Sequence, residues 1–182
     1  MFEAEKDKYL MKHGFGATRL KAVLFDMDGV LFDSMPNHAY SWSHAMTQFG
    51  LHITPEEAYM HEGRTGGGTI DLLAQRDWGR RATEEEKQTI YKAKSDVFSR
   101  CPEAPRMPGA YELLKKVKAD GFTPMVVTGS GQVSLIDRLN HNFPDVFRRD
   151  LMVTSFDVKY GKPNPEPYPV SYTHLRAHET LA

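Results

Sequence analysis

Three short stretches of this chain hold residue types and spacings that could do chemistry on an anion. The first, Phe25-Asp26-Met27-Asp28-Gly29-Val30, places two carboxylates on either side of one residue. Like charges held this close and away from water are costly unless a cation or a shared proton relieves them. The pair therefore points to metal binding or acid–base work, although Asp-x-Asp-Gly is also an ordinary turn sequence. The second stretch, Val126-Val127-Thr128-Gly129-Ser130-Gly131, follows a hydroxyl with small residues. That order suits close approach of backbone N–H groups to a phosphate, and equally suits a plain turn. The third, Gly161-Lys162-Pro163-Asn164-Pro165-Glu166-Pro167, holds a lysine between Gly and Pro. Such a lysine is either a solvated surface charge or a clamp for an anion.

Short apolar runs precede each stretch. Residues 21–26, KAVLFD, lack clean alternation and read as a strand buried on both faces. TPMVVT at 123–128 reads the same way, and 151–154 is a third short strand. Amphipathic helices are expected at 110–119 and 134–140 between these strands, giving the strand–helix–strand rhythm of a parallel α/β sheet. In such sheets ligands gather beyond the carboxyl ends of the strands, where all three stretches fall. The N-terminal residues 3–13 form a polar helix. From 36 to about 100 only helical patterns occur, at 37–49, 55–60, 69–75 and 84–98, with Thr83 and Glu86 spaced as a capping box.

Composition narrows the partners. The 182 residues are 40% hydrophobic and 26% charged, with a net charge of −1, as in an ordinary globular protein. Lys and Arg are scattered, which gives no support for a nucleic-acid partner. No apolar run reaches the length of a membrane span, and the charged N-terminus lacks the apolar segment of a secretory signal. Cys101 is the single cysteine, so no internal disulfide forms, and a cytoplasmic protein is expected.

Taken together and in this order, FDMDGVLFDS, VVTGSG and GKPNPEPY resemble the first three motifs of the haloacid dehalogenase-like hydrolase superfamily. The branch they are most similar to contains β-phosphoglucomutase-like enzymes and small sugar-phosphate phosphatases. The resemblance spans roughly 20–168. It implies a Rossmann-like parallel core at 1–34 and 104–168, with a helical cap inserted after the first strand at 35–103. It implies that Asp26 is a nucleophile forming an aspartyl-phosphate and that Asp28 is the acid–base partner. The Asp26 carboxylate and the Asp28 carbonyl would help hold Mg²⁺. Thr128, the Gly129 N–H and Lys162 would grip phosphoryl oxygens. The haloalkanoic-acid dehalogenases lack the second Asp, so Asp28 favours phosphate chemistry and a small phosphorylated metabolite as substrate.

Within the cap, His38 and Trp42 fall where the β-phosphoglucomutase pattern has a His and a Trp four apart. Surface placement is the alternative for His38, and core packing for Trp42. Arg64, in the glycine-rich loop 62–68, and Lys94 are candidates for substrate contacts. That loop does not reproduce the mutase's usual basic residue, so a phosphatase is expected. A phosphomutase and a non-catalytic binding protein on the same fold are the alternatives. Members with such caps are often monomers.

The family's fourth motif, a strand ending in an acidic pair that completes the Mg²⁺ site, has no counterpart after Tyr168. Reverse translation of PVSYTHLRAHET gives a string similar to a transposase-type sequencing adapter. Residues 169–182 are therefore expected to be a non-native tail on an incomplete core. An exposed first strand, poor solubility and little activity are the expected consequences.

Overall fold

The computed structural model describes residues 3–16, 20–131 and 135–181. Eight helices and three strands alternate along them: α1 (Glu3–His13), β1 (Ala22–Phe25), α2 (Met35–Met46), α3 (Pro55–Met60), α4 (Gly66–Asp77), α5 (Glu84–Phe98), α6 (Ala110–Ala119), β2 (Thr123–Val127), α7 (Leu135–Asn142), β3 (Met152–Val153) and α8 (Pro167–Leu181). The strands are parallel in the order β1-β2-β3, with Phe25 opposite Val126 and Val127 opposite Val153. β1 is thus an edge strand among the described residues, and its Leu24 is exposed.

Alternate side chains of β2 enter different layers. Val126 joins Phe25 and Met152 against Leu114 and Val117 of α6, Leu139 of α7 and Phe143 just after it. Met125 and Val127 face the other way, with Val153, against Val170 and Leu175 of α8. A third apolar cluster lies wholly within α2–α5 and their connections, around Trp42, Met46, Leu51, Ile70, Leu73 and Ile90. The chain leaves the sheet and returns to it side by side. Asp33 N–H donates to the Pro105 carbonyl and Met107 N–H to the Leu31 carbonyl, both at 2.9 Å. These two crossings tie the helical block to the sheet edge that carries Asp26 and Asp28.

Capping explains several helix starts. Thr83 and Glu86 form the expected reciprocal box, and Thr54 with Glu57 forms a second one. The structure departs from the sequence pattern at two helices. α4 begins at Gly66, three residues before the apolar periodicity at Thr69. Thr65 accepts the Gly68 N–H at 3.2 Å, and a side chain at Gly66 would come within 2.2 Å of the Tyr91 ring. The Thr65 cap starts the helix there and the Tyr91 ring leaves room only for a glycine at position 66, whereas sequence alone reads these glycines as loop. α8 is the second departure: residues 169–181 continue a helix begun at Pro167, anchored by Ser171, which is fully buried and donates to the Pro167 carbonyl at 2.6 Å. The expected helix start at Ser134 and the terminal Ala182 lie outside the described residues. No helix among the described residues is long and apolar enough to cross a membrane.

Candidate active site

The carboxyl ends of β1 and β2 bring the three motifs to one edge. Asp26 follows the last residue of β1, and its two oxygens are held differently. Oδ1 accepts the Met27 N–H at 2.8 Å, and Oδ2 lies 2.5 Å from Lys162 Nζ. Lys162 also donates to the Val127 carbonyl at 3.3 Å. The lysine is therefore inside the site, and the surface-charge alternative does not hold. Thr128 is buried directly after β2. Its N–H extends the sheet to the Val153 carbonyl at 2.9 Å, and its hydroxyl oxygen accepts the Ser130 N–H at 3.1 Å. The hydroxyl proton remains available to a phosphate oxygen.

Asp28 sits in different surroundings, 4% exposed. Its Oδ1 accepts a hydrogen bond from Ser34 Oγ at 2.5 Å and lies 3.1 Å from His38 Nε2. His38 Nδ1 is 3.0 Å from Lys94 Nζ. A protonated lysine can only donate, so Nδ1 is the acceptor and the Nε2–H faces Asp28. Lys94, His38 and Asp28 thus form one chain from the helical block to the core. Burial pushes the Asp28 carboxyl up, but the hydrogen bonds from His38 and Ser34 and the nearby Lys94 charge outweigh it and hold the group below its ordinary value. Burial drives Lys94 down to about 8, against the charges of Asp28 and Glu62.

The helical block covers this edge closely. Asp28, His38, Trp42, His61, Glu62, Arg64, Tyr91, Lys94, Gly129 and Ser130 line a cavity of about 30 Å³. That volume suits a water molecule or two, whereas sites for small organic ligands run to about 300 Å³ or more. In this arrangement the cavity is too small for a small organic ligand, and opening it would separate the 62–65 loop from the sheet edge it covers. Two core glycines receive that loop. A Cβ at Gly129 would lie 2.7 Å from the Arg64 carbonyl oxygen, and one at Gly161 would lie 2.5 Å from the Thr65 nitrogen. Gly161→Ala is expected to hold the loop open and lower kcat/KM by on the order of 10²-fold, the scale of a 1 Å misplacement. Because the atoms met are backbone atoms of the 63–65 loop, the variant should also melt at a lower temperature. Steady-state kinetics alongside a melting curve checks this.

The structure brings together Asp26, Asp28, Thr128, Gly129, Lys162, His38 and Lys94. Arg64 is at the margin: its residue lines both this cavity and a larger one of about 840 Å³ outside the loop. Among the described residues its guanidinium has no carboxylate within 4 Å. Sequence reasoning missed Ser34, Glu62 and Tyr91 as site residues. Ser34 follows Asp28 by six positions within the first motif, which was the available signal. Glu62 opens the glycine-rich loop 62–68 from which the sequence reading singles out only Arg64, and nothing local marks Tyr91. The donor set suits a hard cation: a carboxylate at Asp26 and the Asp28 carbonyl, which receives no hydrogen bond from the described residues. A hard cation held by these two groups would take its remaining ligands from phosphate oxygens and water.

A family model described as haloacid dehalogenase-like hydrolase matches residues 20–169. A solved structure from Bacteroides vulgatus, named as a candidate β-phosphoglucomutase, is 59% identical with a TM-score of 0.89, covering 96% of this chain and 71% of that one. The phosphorylated carbohydrates phosphatase of Thermotoga maritima is 28% identical over 149 residues, covering 82% of this chain and 68% of its own length. Hexitol phosphatase A of Escherichia coli is 29% identical over 153 residues, covering 82% of this chain and 66% of its own length.

Proposed function

Because the chain belongs to the haloacid dehalogenase-like hydrolase family, we propose that it moves the phosphoryl group of a small phosphorylated metabolite, a sugar phosphate, to water through Asp26. One observation carries this reading. Two carboxylates one residue apart occupy opposite environments, Asp26 against Lys162 and Asp28 against His38 and Ser34. Such a split assigns different roles to chemically identical groups.

In the first half-reaction an Asp26 oxygen attacks phosphorus and the bond to the sugar oxygen breaks. Asp28 gives its proton to that departing oxygen, leaving a sugar alcohol group and an aspartyl-phosphate. In the second half Asp28 takes a proton from water, whose oxygen attacks phosphorus and breaks the bond to Asp26, releasing inorganic phosphate. Lys162, the Thr128 hydroxyl and the Gly129 N–H hold the phosphoryl oxygens throughout. Asp28 rests ionised; the negative phosphate of an arriving substrate raises its proton affinity, so it takes up a proton from water as the substrate binds, gives it in the first half, and is left as the carboxylate the second half needs. Mg²⁺, held by Asp26 and the Asp28 carbonyl, neutralises phosphoryl charge when bound. The helical block 35–103 acts as the cap, with His38, Lys94 and Arg64 facing the substrate or its acid–base partner.

A phosphomutase is the second reading, favoured by the similarity to the Bacteroides vulgatus protein. It differs only in the acceptor, a hydroxyl of a bound sugar phosphate instead of water. The test is the full-length protein with Mg²⁺ and sugar monophosphates, with and without a sugar bisphosphate primer. Release of inorganic phosphate without primer supports the phosphatase. Primer-dependent isomerisation with little phosphate release supports the mutase. No phosphoryl transfer under either condition would leave a binding protein.

Lys94 makes the rate pH-dependent. Its charge is present below the lowered value and disappears as the pH rises through about 8. Loss of the charge removes support for the imidazole that positions Asp28. The kcat profile should fall on its alkaline side near that pH. In Lys94→Met the fall should be absent, with a uniformly lower rate.

A further inference from the structure

The cavity under the cap holds a carboxylate that the phosphoryl chemistry does not use. Glu62 begins the loop that docks on Gly129 and Gly161, and it lines the closed cavity with Asp28, His38 and Lys94. No cation lies within 4 Å of its carboxylate among the described residues. The nearby positive groups are already engaged. His38 uses one ring nitrogen on Asp28 and the other on Lys94, and Lys162 is taken by Asp26. Burial pushes the Glu62 carboxyl up, and the Gly63 backbone N–H answers it only in part, so Glu62 offers the site acceptor oxygens and negative charge with no ion-paired side chain.

Its position says which part of a substrate it meets. Asp28 must face the oxygen that leaves with the sugar, because it protonates that oxygen. Lys162, Thr128 and Gly129 surround the transferred phosphoryl group from the core side. Glu62 comes from the cap side, over Asp28, and so faces the leaving group. A neutral polyol supplies hydroxyl donors there. A carboxylate or second phosphate at the same place would meet an unscreened negative charge.

We infer that Glu62 is a specificity residue selecting monophosphates whose leaving group is an uncharged polyol, and rejecting acidic or doubly phosphorylated ones. This inference rests on the phosphohydrolase reading for its turnover consequences, and on the cavity alone for its binding consequences. The experiment compares sorbitol phosphate, phosphogluconate and a hexose bisphosphate on the full-length protein and its Glu62→Gln variant. Turnover is read as phosphate release, and binding as quenching of Trp42, which lines the same cavity. In a Trp78→Phe background Trp42 is the sole indole, since the chain has two tryptophans.

The wild type should prefer sorbitol phosphate. Glu62→Gln should lower its kcat/KM and raise those of the two acidic substrates, narrowing the preference by about tenfold or more, as expected when a like charge is removed. An unchanged preference in both turnover and binding overturns the inference. No turnover, with a binding preference that narrows in Glu62→Gln, upholds the inference and overturns the phosphohydrolase reading. No binding and no turnover overturns both.

Discussion

Asp26→Asn is expected to lower turnover of a sugar phosphate by on the order of 10⁴- to 10⁶-fold, the scale of losing a covalent nucleophile. The amide is close to isosteric but does not form the acyl-phosphate bond. It also removes the negative charge that Lys162 Nζ meets at 2.5 Å. Two readouts separate these effects. Acid-quenched wild type incubated with labelled substrate should retain label on the protein, and the variant should retain none. Lys162, released from its carboxylate, should still bind phosphate, so product inhibition by inorganic phosphate should persist. A variant that keeps wild-type turnover would remove Asp26 from the chemistry and overturn the aspartyl-phosphate reading.

Asp28→Asn should lower kcat on an alkyl phosphate by about 10²- to 10⁴-fold, the range for general acid–base groups. The leaving group gives this prediction its diagnostic power. A sugar alkoxide needs a proton as it departs, whereas p-nitrophenolate does not. Formation of the aspartyl-phosphate from p-nitrophenyl phosphate should therefore survive in the variant, and its hydrolysis should not. A burst of p-nitrophenol followed by a slow steady state is the expected trace. Equal losses in both phases would instead make Asp28 a positioning residue. The chain to His38 and Lys94 adds a control: His38→Asn should shift the pH dependence of the second phase without abolishing the burst.

The largest consequences thus sit on two residues that local sequence already singles out. Asp26 and Asp28 are legible because their chemistry is written in adjacent positions: an apolar strand, two acids and a glycine. Thr128 is legible for the same reason, closing a short apolar run, and Lys162 from its place between Gly and Pro in the loop beyond the third run. The α/β alternation follows from periodicity, since buried strands and amphipathic helices differ in where apolar residues recur. The helical block is likewise legible from spacing and from the Thr83 capping box.

The start of α4 and the existence of α8 were not legible. Three successive glycines have low helix propensity, and their helical start depends on Thr65 and on the Tyr91 ring 25 residues beyond Gly66. α8 owes its burial to Val170 and Leu175 meeting Met125 and Val153 across the sheet, a contact with no local trace.

By itself, then, the sequence determined the identity of the reactive groups and the order of the elements that carry them. Both depend on interactions between near neighbours in the chain. Tertiary structure alone decided the protonation and pairing of those groups. Lys94 is 56 residues from His38, and Lys162 is 35 from the Val127 carbonyl it bonds. Only the folding of the helical block onto the sheet dries their surroundings and brings them within hydrogen-bond reach. The same closure buries Glu62 in the cavity beside Asp28, His38 and Lys94, where burial pushes its carboxyl up. Desolvation and short-range charge contact fall off over a few ångströms in space, so their partners are set by the folded surface.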